Sequence, residues 1–159
     1  DGNCKQDNVR VISGNVLTGK NIGKQGFLRY TDTMLSVIPE GNYHEFFGWA
    51  NPGFTKFSFS RTFFSWLFPK RKYSLDTNKH GEIRAFVVTG EYERVFPMNI
   101  MPVQLLKAIL VNDIDRMEEL GIYEVVEEDF ALCEVICTSK IESQKIIRDG
   151  IDTMLKELN

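Results

Sequence analysis

Two cysteines four residues apart are the side chains in this sequence best suited to metal chemistry. On a helix, Cys133 and Cys137 would lie on one face, because residues at i and i+4 are neighbours there, with Cβ atoms about 6 Å apart. Thiolates bind zinc and iron–sulfur clusters. Two thiolates can begin such a site, but four donors are needed to complete it.

A cubane iron–sulfur cluster of the bacterial ferredoxin type uses the spacing C-x₂-C-x₂-C-x₃-C. When its last two positions are placed on Cys133 and Cys137, Glu127 and Phe130 stand where the first two thiolates should be. An earlier segment with the same spacing, closed by Phe96-Pro97, has no thiolate at its other three positions, which are Phe86, Thr89 and Tyr92. Half of the ligands are therefore missing, which favours a pair of buried, small apolar residues, the usual state of free cysteine.

Residues 14–21 nearly match a phosphate-binding P-loop. They follow the pattern G-x₄-G-K, but Asn21 replaces the Ser or Thr that binds Mg²⁺. Residues 22–26 are also a poor start for the helix whose dipole would face the phosphate. We therefore expect a strand, a turn and a second strand here instead of a nucleotide site.

An aromatic cluster precedes three consecutive basic residues. Six of the twelve phenylalanines lie within residues 54–68, and residues 63–68 are apolar on both faces of a strand, which a small module cannot easily bury. Residues 63–72, here called the aromatic–basic segment, are typical of a surface that docks on a membrane-bound partner or near lipid headgroups. The alternative is a core strand that ends in a basic loop. The candidate contact residues are Phe63, Phe64, Trp66 and Phe68, with Lys70, Arg71 and Lys72 at the rim.

Length and composition exclude several classes of protein. The 159 residues, 43% apolar and 26% charged, are typical of a globular chain and not of a disordered one. No apolar run approaches the roughly 20 residues that span a bilayer, and the first residues do not resemble a signal peptide. A net charge of −3 argues against a general nucleic-acid binder. Three cysteines, an odd and low number, favour a reducing, cytoplasmic location.

The charge of the chain changes sign at Pro97. Residues 1–97 carry 13 Lys and Arg against 9 Asp and Glu, a net +4, whereas residues 98–159 carry 6 against 13, a net −7. The first half also contains short runs of β-forming residues punctuated by Gly and Pro. These runs predict strands at residues 9–13, 34–38, 56–59 and 83–88, with one short helix at residues 42–49.

After Pro97 the apolar residues repeat with a helical period. The pattern predicts four helices, at residues 102–110, at 113–120, from about 127, and at 143–158. The residues of the last helix that we expect to face inward are Ile146, Ile147, Ile151, Met154, Leu155 and Leu158. The sequence therefore predicts an α+β chain, with a small mixed-sheet module followed by an all-α helical bundle.

Longer motifs follow one another across nearly the whole chain. In the first half they read RVISG, GW and PGFTKFS, and in the second half GEYERVFPMNIMP, QLL, ELG and EEDFALC. In this order they resemble the C-terminal part of the A subunit family of bacterial Na⁺-translocating NADH:quinone oxidoreductases. That family is similar to the soluble flavin and iron–sulfur subunit of complex I and to the C subunit of the Rnf complex.

In those relatives a β-grasp module of the soluble-ligand-binding kind precedes a helical module that carries iron–sulfur cysteines. The resemblance implies a β-grasp-like module at residues 1–96 and, at residues 97–159, a helical domain related to degenerate ferredoxin-like iron–sulfur domains. It also implies that the larger N-terminal part of the subunit is not contained in this chain.

The resemblance further implies a place in a membrane complex. Such complexes oxidise NADH, reduce ubiquinone and export Na⁺ across the inner membrane, using flavins and an iron–sulfur cluster. The A subunit is their peripheral member on the cytoplasmic face and has no firmly assigned redox cofactor. The implied partners are the other subunits, above all the membrane-embedded quinone-reducing subunit, and not nucleic acid.

Three functions are then open for this chain. The first is a cofactor-free docking and scaffold region that uses the aromatic–basic segment. The second is a contribution to a quinone site, since an aromatic cleft suits a flat apolar headgroup. The third is electron transfer through an iron–sulfur or zinc site on Cys133 and Cys137.

Overall fold

A computed structural model describes residues 8–41, 43, 45–48 and 50–158 of the chain. The chain divides into two compact units, one ending at His80 and the other beginning at Gly81. The first unit contains a three-stranded sheet, and the second contains four α-helices. The predicted α+β class is confirmed.

The sheet consists of β1 (Val9–Ser13), β2 (Lys20–Asn21) and β3 (Leu35–Pro39), in the order β2-β1-β3. Both pairings are antiparallel, and Val11 of β1 lies opposite Val37 of β3. The prediction of a mixed sheet is therefore wrong for the described strands. The connection between β1 and β2 is shorter than the dozen or so residues that a parallel crossover needs.

The strand predicted at residues 56–59 does not form. The Lys56 carbonyl accepts a hydrogen bond from Ser65 Oγ at 2.5 Å, and the Arg61 N–H donates to the Ser58 carbonyl at 3.3 Å. Such local bonds occupy backbone groups that a β-ladder would need. Instead of a strand, this part of the first unit forms turns and a 3₁₀-helix at Phe64–Leu67.

The helix predicted at residues 42–49 does not form at its described residues: 46–48 form a turn, and 43 and 45 have no regular structure. Phe47 has a φ of 53°, a left-handed conformation that interrupts a right-handed helix. Asn42, His44 and Trp49 of the predicted helix lie outside the described residues, and so does Cys4.

The second unit confirms the four predicted helices, α1 (Pro102–Leu110), α2 (Ile114–Glu119), α3 (Ala131–Ile136) and α4 (Ser143–Glu157). Pro102 stands in the first turn of α1, where its missing N–H costs no helical hydrogen bond. Asp113 caps α2 by accepting a hydrogen bond from the Arg116 N–H at 3.2 Å. Residues Ile122–Glu124 and Glu127–Phe130 form 3₁₀-helices, so α3 begins later than predicted.

The core of the second unit is built on α1 and α4. Its fully buried side chains include Leu105, Leu106, Met117, Phe130 and Ile147. The two helices come close at Gly150, where an added Cβ would lie 2.9 Å from two side-chain carbons of Ile109.

Two apolar residues at the C-terminal end of α4 are exposed, although the sequence predicts that they face inward. The buried stripe of α4 consists of Ser143, Ile147, Gly150 and Met154, spaced by three and four residues. Leu155 lies about 100° around the helix from Met154 and therefore leaves this stripe. Leu158 follows the last helical residue and is exposed as well.

Residues 83–88, predicted as a strand, bind the turn after α3 instead. The Arg84 N–H donates to the Ser139 carbonyl at 3.0 Å, and Ser139 Oγ donates to the Ala85 carbonyl at 2.9 Å. Residues 81–96 thus pack with the helices, and Tyr92 and Phe96 belong to their core. A compact unit reflects packing, whereas a domain folds independently, so the domain boundary between residues 96 and 97 stays a prediction. None of the helices in the described part of the chain is long and apolar enough to cross a bilayer.

Candidate functional site

The two candidate metal ligands are buried in the helical unit. Cys133 lies inside α3, and Cys137 is the residue that follows this helix, where its N–H donates to the Glu134 carbonyl at 3.3 Å. Both are free thiols. Burial raises the pKa of Cys133 to about 12, and the nearby Glu93, Cys137 and Glu134 add to the shift. The thiolate, which is the form that binds metals, is therefore strongly disfavoured.

Tyr92 lies beside this pair. The residue is 2% exposed, and its hydroxyl is a buried polar atom with no conventional hydrogen-bond partner among the described residues. Burial raises the pKa of Tyr92 above its usual range, and the neighbouring Cys137 thiol, a weak hydrogen-bonding group, raises it further. Burial therefore favours the neutral forms of Cys133 and Tyr92.

The other positions of the cluster spacing hold no further sulfur donors. Phe130 is fully buried, and its ring lies 4.7 Å from that of Phe96, centroid to centroid. Glu127 forms an ion pair with Arg148. Among the described residues, no group of three or more His, Cys, Asp or Glu side chains is placed to hold a metal ion. This donor set does not fit a cubane cluster.

The P-loop-like segment forms a strand, a turn and a strand, as its sequence predicts. The side-chain oxygen of Asn15 accepts hydrogen bonds from the N–H groups of Leu17 and Thr18 at 2.7 and 2.8 Å. The Gly19 N–H donates to the Asn15 carbonyl at 2.9 Å. Backbone donors that would surround a phosphate in a P-loop are thus used inside the turn itself.

The aromatic–basic segment is largely exposed in the first unit. Phe64, Trp66 and Phe68 expose 52%, 51% and 52% of their surface. Phe63 is only partly exposed, because it packs over Gly53 and lies 5.5 Å from the Lys56 ammonium. Lys70, Arg71 and Lys72 are exposed. The alternative of a core strand is wrong for residues 64–67, which form an exposed 3₁₀-helix.

Two hydrogen bonds orient this 3₁₀-helix. The side chain of Ser65 is buried and donates to the Lys56 carbonyl, and the Phe64 N–H donates to the Pro52 carbonyl at 3.0 Å. Ser65 is turned inward, and its neighbours Phe64 and Trp66 are each about half exposed, with the Phe64 ring 5.9 Å from that of Phe54, centroid to centroid. The arrangement places aromatic side chains and cations in one continuous stretch of surface chain.

A groove beside α4 is a feature that the sequence does not predict. Its volume is about 310 Å³, and it lies between α4 and residues 122–128. The sequence signal for it is Leu155, an apolar residue that the helical period assigns to the core but that lines the groove. The residues that line the groove, here called the α4 groove, are Ile122, Tyr123, Val125, Val126, Glu127, Glu128, Arg148, Ile151, Met154 and Leu155.

No family model matches the chain. Curated relatives nevertheless match along nearly its whole length, and three of them are named as the A subunit of the Na(+)-translocating NADH-quinone reductase. The relative from Rhodopirellula baltica is 45% identical over 150 residues, which are 94% of this chain and 33% of the relative. Those from Shewanella frigidimarina and Vibrio atlanticus are 43% and 41% identical over 152 and 158 residues, or 95% and 99% of this chain and 34% and 35% of theirs.

The resemblance found in the motifs is thus confirmed across about 95% of the chain. The chain spans about a third of the length of the curated relatives it matches. By sequence, this chain belongs to the family of the A subunit of Na(+)-translocating NADH-quinone reductases.

Proposed function

We propose that this chain is the region of such an A subunit that attaches it to the rest of its complex, on the cytoplasmic face of the inner membrane. In this proposal the complete complex carries out the activity in the relatives' name, NADH–quinone reduction coupled to Na⁺ translocation. The chain contributes by holding and orienting its subunit and carries no redox cofactor itself. The partner of this surface is the membrane-embedded quinone-reducing subunit.

The exposed aromatic–basic segment is the observation that carries the proposal. Phe64, Trp66 and Phe68 are each about half exposed within five residues of one another. Aromatic side chains dominate the binding energy of protein interfaces, and cations at the rim guide the approach of the partner. The buried Ser65 holds the backbone in place, so little ordering of the chain would be needed on binding.

The state of the cysteines supports a cofactor-free region. Cys133 and Cys137 supply only half of the donors that a cubane cluster needs, and burial favours the neutral form of the Cys133 thiol. The rings of Phe96 and Phe130 pack together at positions where the cluster spacing calls for cysteines. The space is therefore used for apolar packing.

We also propose that the helical unit derives from a ferredoxin-like iron–sulfur domain, and the sheet from a β-grasp module. Two segments with the cluster spacing, residues 86–96 and 127–137, pack against each other through Phe96 with Phe130 and through Tyr92 with Cys137. In a domain that once held two clusters and lost them, we expect two segments with this spacing to pack together in one core.

The double variant Phe64→Ser/Trp66→Ser, made in the complete subunit, tests the docking role. Each truncated interface anchor costs about 2 kcal/mol or more, which is about a 30-fold loss of affinity. We expect much less of the subunit to sediment with membranes that contain the rest of the complex. The matched control is Phe27→Ser/Tyr30→Ser, which removes two aromatic side chains that are 90% and 105% exposed and lie outside the segment.

A second variant guards against effects on folding. Lys70→Glu/Arg71→Glu/Lys72→Glu changes only exposed side chains. It should weaken association at low salt, and added salt should no longer lower the association further, because the attraction that salt screens has been removed. Equal membrane association of both segment variants and the control would overturn the docking role. So would unfolding of the Phe64→Ser/Trp66→Ser subunit, because the two rings would then belong to the core.

A further inference from the structure

The α4 groove has an apolar floor with exposed apolar walls. Ile122, Val125 and Met154 are buried at its base, whereas Val126 and Leu155 stand exposed at its sides. Apolar side chains exposed on both sides of a concave surface indicate a surface that a partner covers. All of these residues belong to the helical unit, so the groove is complete within that unit.

The size of the groove limits what can occupy it. A cavity of about 150 Å³ holds one benzene ring, so about 310 Å³ has room for roughly two large side chains. One face of an amphipathic helix inserts side chains in this way, at spacings of three or four residues. The volume therefore suits two apolar side chains from one face of a helix that lies beside α4.

The charge of the helical unit decides which helix fits. Residues 81–159 carry 8 Lys and Arg against 16 Asp and Glu, a net −8. At the rim, Glu127 and Arg148 neutralise each other as an ion pair, and Glu128 adds an exposed negative charge. This potential attracts a cationic partner and repels an acidic one, such as the helical unit of a second copy or an anionic lipid surface.

We propose that the α4 groove binds a basic amphipathic helix of another subunit. The apolar side chains of that helix contact Ile122 and Leu155, and its Lys or Arg side chains lie near Glu128. The inference rests on the proposed function, because it requires that the chain works within a multi-subunit complex. It adds a second attachment surface: the aromatic–basic segment belongs to the first compact unit, and the α4 groove belongs to the second.

Site-specific photocrosslinking in the assembled complex tests this inference. The photoreactive amino acid p-benzoylphenylalanine replaces Leu155, which is 52% exposed in α4. The matched control places the same residue at Leu110, which is 56% exposed at the end of α1 and does not line the groove. Mass spectrometry of the purified, irradiated complex then identifies the crosslinked peptide.

We expect position 155 to crosslink to one helical segment of another subunit, with more Lys and Arg than Asp and Glu. Position 110 should give no such product. The inference is overturned by equal products at the two positions, by no product at 155, or by a crosslink to an acidic segment. A crosslink to lipid, to a second copy or to the same polypeptide also overturns it.

A charge reversal at the rim tests the electrostatic part. Glu128→Lys should lower the crosslinking yield at position 155, because it places a cation opposite the cations of the helix. Glu82→Lys makes the same change in net charge at an exposed residue outside the groove. An equal drop in crosslinking yield with both variants would show that only the net charge of the subunit matters, and it would overturn the placement of partner cations near Glu128. No drop with Glu128→Lys would refute a basic partner.

The amount of the subunit that copurifies with the complex distinguishes a failure of the proposed docking function from a failure of the α4 groove proposal. If the subunit is recovered with the complex and the Phe64→Ser/Trp66→Ser variant releases it, but position 155 gives no product, only the α4 groove proposal fails. If those substitutions leave recovery unchanged, the proposed docking function fails, whatever position 155 shows.

Discussion

The Cys133 thiol is enclosed by apolar groups, and three anionic or potentially anionic side chains lie near it. Burial is the largest cause of its raised pKa, followed by Glu93, Cys137 and Glu134. Reactive cysteines have the opposite surroundings, with cations or a helix N-terminus that stabilise the thiolate. At the scale of the residue, Cys133 is therefore a small apolar packing group.

This pKa predicts a loss of stability at alkaline pH. The thiol ionises near its ordinary value of 9.0 in the unfolded chain but only at about 12 in the folded one. Below pH 9 the group is neutral in both states and stability is unaffected, whereas between pH 9 and 12 ionisation favours the unfolded state. Urea unfolding at about pH 8 and about pH 10.5 should show a smaller fall in stability for Cys133→Ala than for the native chain. An identical fall would contradict a raised pKa.

The iron content of the complex gives a second test at this scale. Because Cys133 and Cys137 lack the other donors of a cluster, Cys133→Ala/Cys137→Ala should leave the iron bound per purified complex unchanged. Metal analysis and the visible absorption spectrum measure this. Loss of iron from the double variant, with the subunit still present, would show that the cysteines are ligands.

The elements differ in how far the sequence alone determines them. The helices are predicted well because their signals are local, such as Pro102 in the first turn of α1 and the Asp113 cap of α2. The strand predictions at residues 56–59 and 83–88 are wrong because strand formation depends on a partner. In the structure, the hydroxyls of Ser65 and Ser139 donate hydrogen bonds to backbone carbonyls of those segments.

The packing of α1 on α4 depends on the missing side chain of Gly150. Gly150→Ala would place a Cβ against the stiff side chain of Ile109 at 2.9 Å. Overpacking destabilises the folded state by about 1–3 kcal/mol, and the better helix propensity of Ala offsets about 1 kcal/mol of this. We expect the amides of α4 to lose about 1 kcal/mol of protection in native-state hydrogen exchange of the complete subunit.

Two comparisons make this test specific. Asp149→Ala changes an exposed neighbour in α4 and should not lower protection. In an Ile109→Ala background, Gly150→Ala should cost less, because the atoms that the Cβ meets are gone. An equal cost in both backgrounds would show that the close approach of the two helices does not matter.

At the scale of the whole molecule, the two compact units carry opposite charge. Residues 1–80 contain 11 Lys and Arg against 6 Asp and Glu, a net +5, whereas residues 81–159 have a net −8. Each unit also exposes apolar side chains, in the aromatic–basic segment and in the α4 groove. The molecule therefore offers two surfaces of different charge, which suits a subunit attached to its complex in a fixed orientation.

Of these two surfaces, only one can be predicted from the sequence. The aromatic–basic segment is continuous in the chain, so the run from Phe63 to Lys72 identifies it directly. The α4 groove combines Ile122 and Val126 with Ile151 and Leu155, which are separated by more than twenty residues. The helical repeat of apolar residues assigns Leu155 to the core. It cannot show that the residues packed against α4 end before they cover Leu155.

Hydroxyl-radical footprinting of residues 63–72 in the free subunit and in the assembled complex tests the docking role most directly. The radical oxidises exposed aromatic side chains, and mass spectrometry locates the oxidised residues. We predict that Phe64, Trp66 and Phe68 are oxidised in the free subunit and protected in the complex, while Phe27 is oxidised equally in both. Equal oxidation of the three residues in both states would contradict the assignment of this segment as the attachment surface.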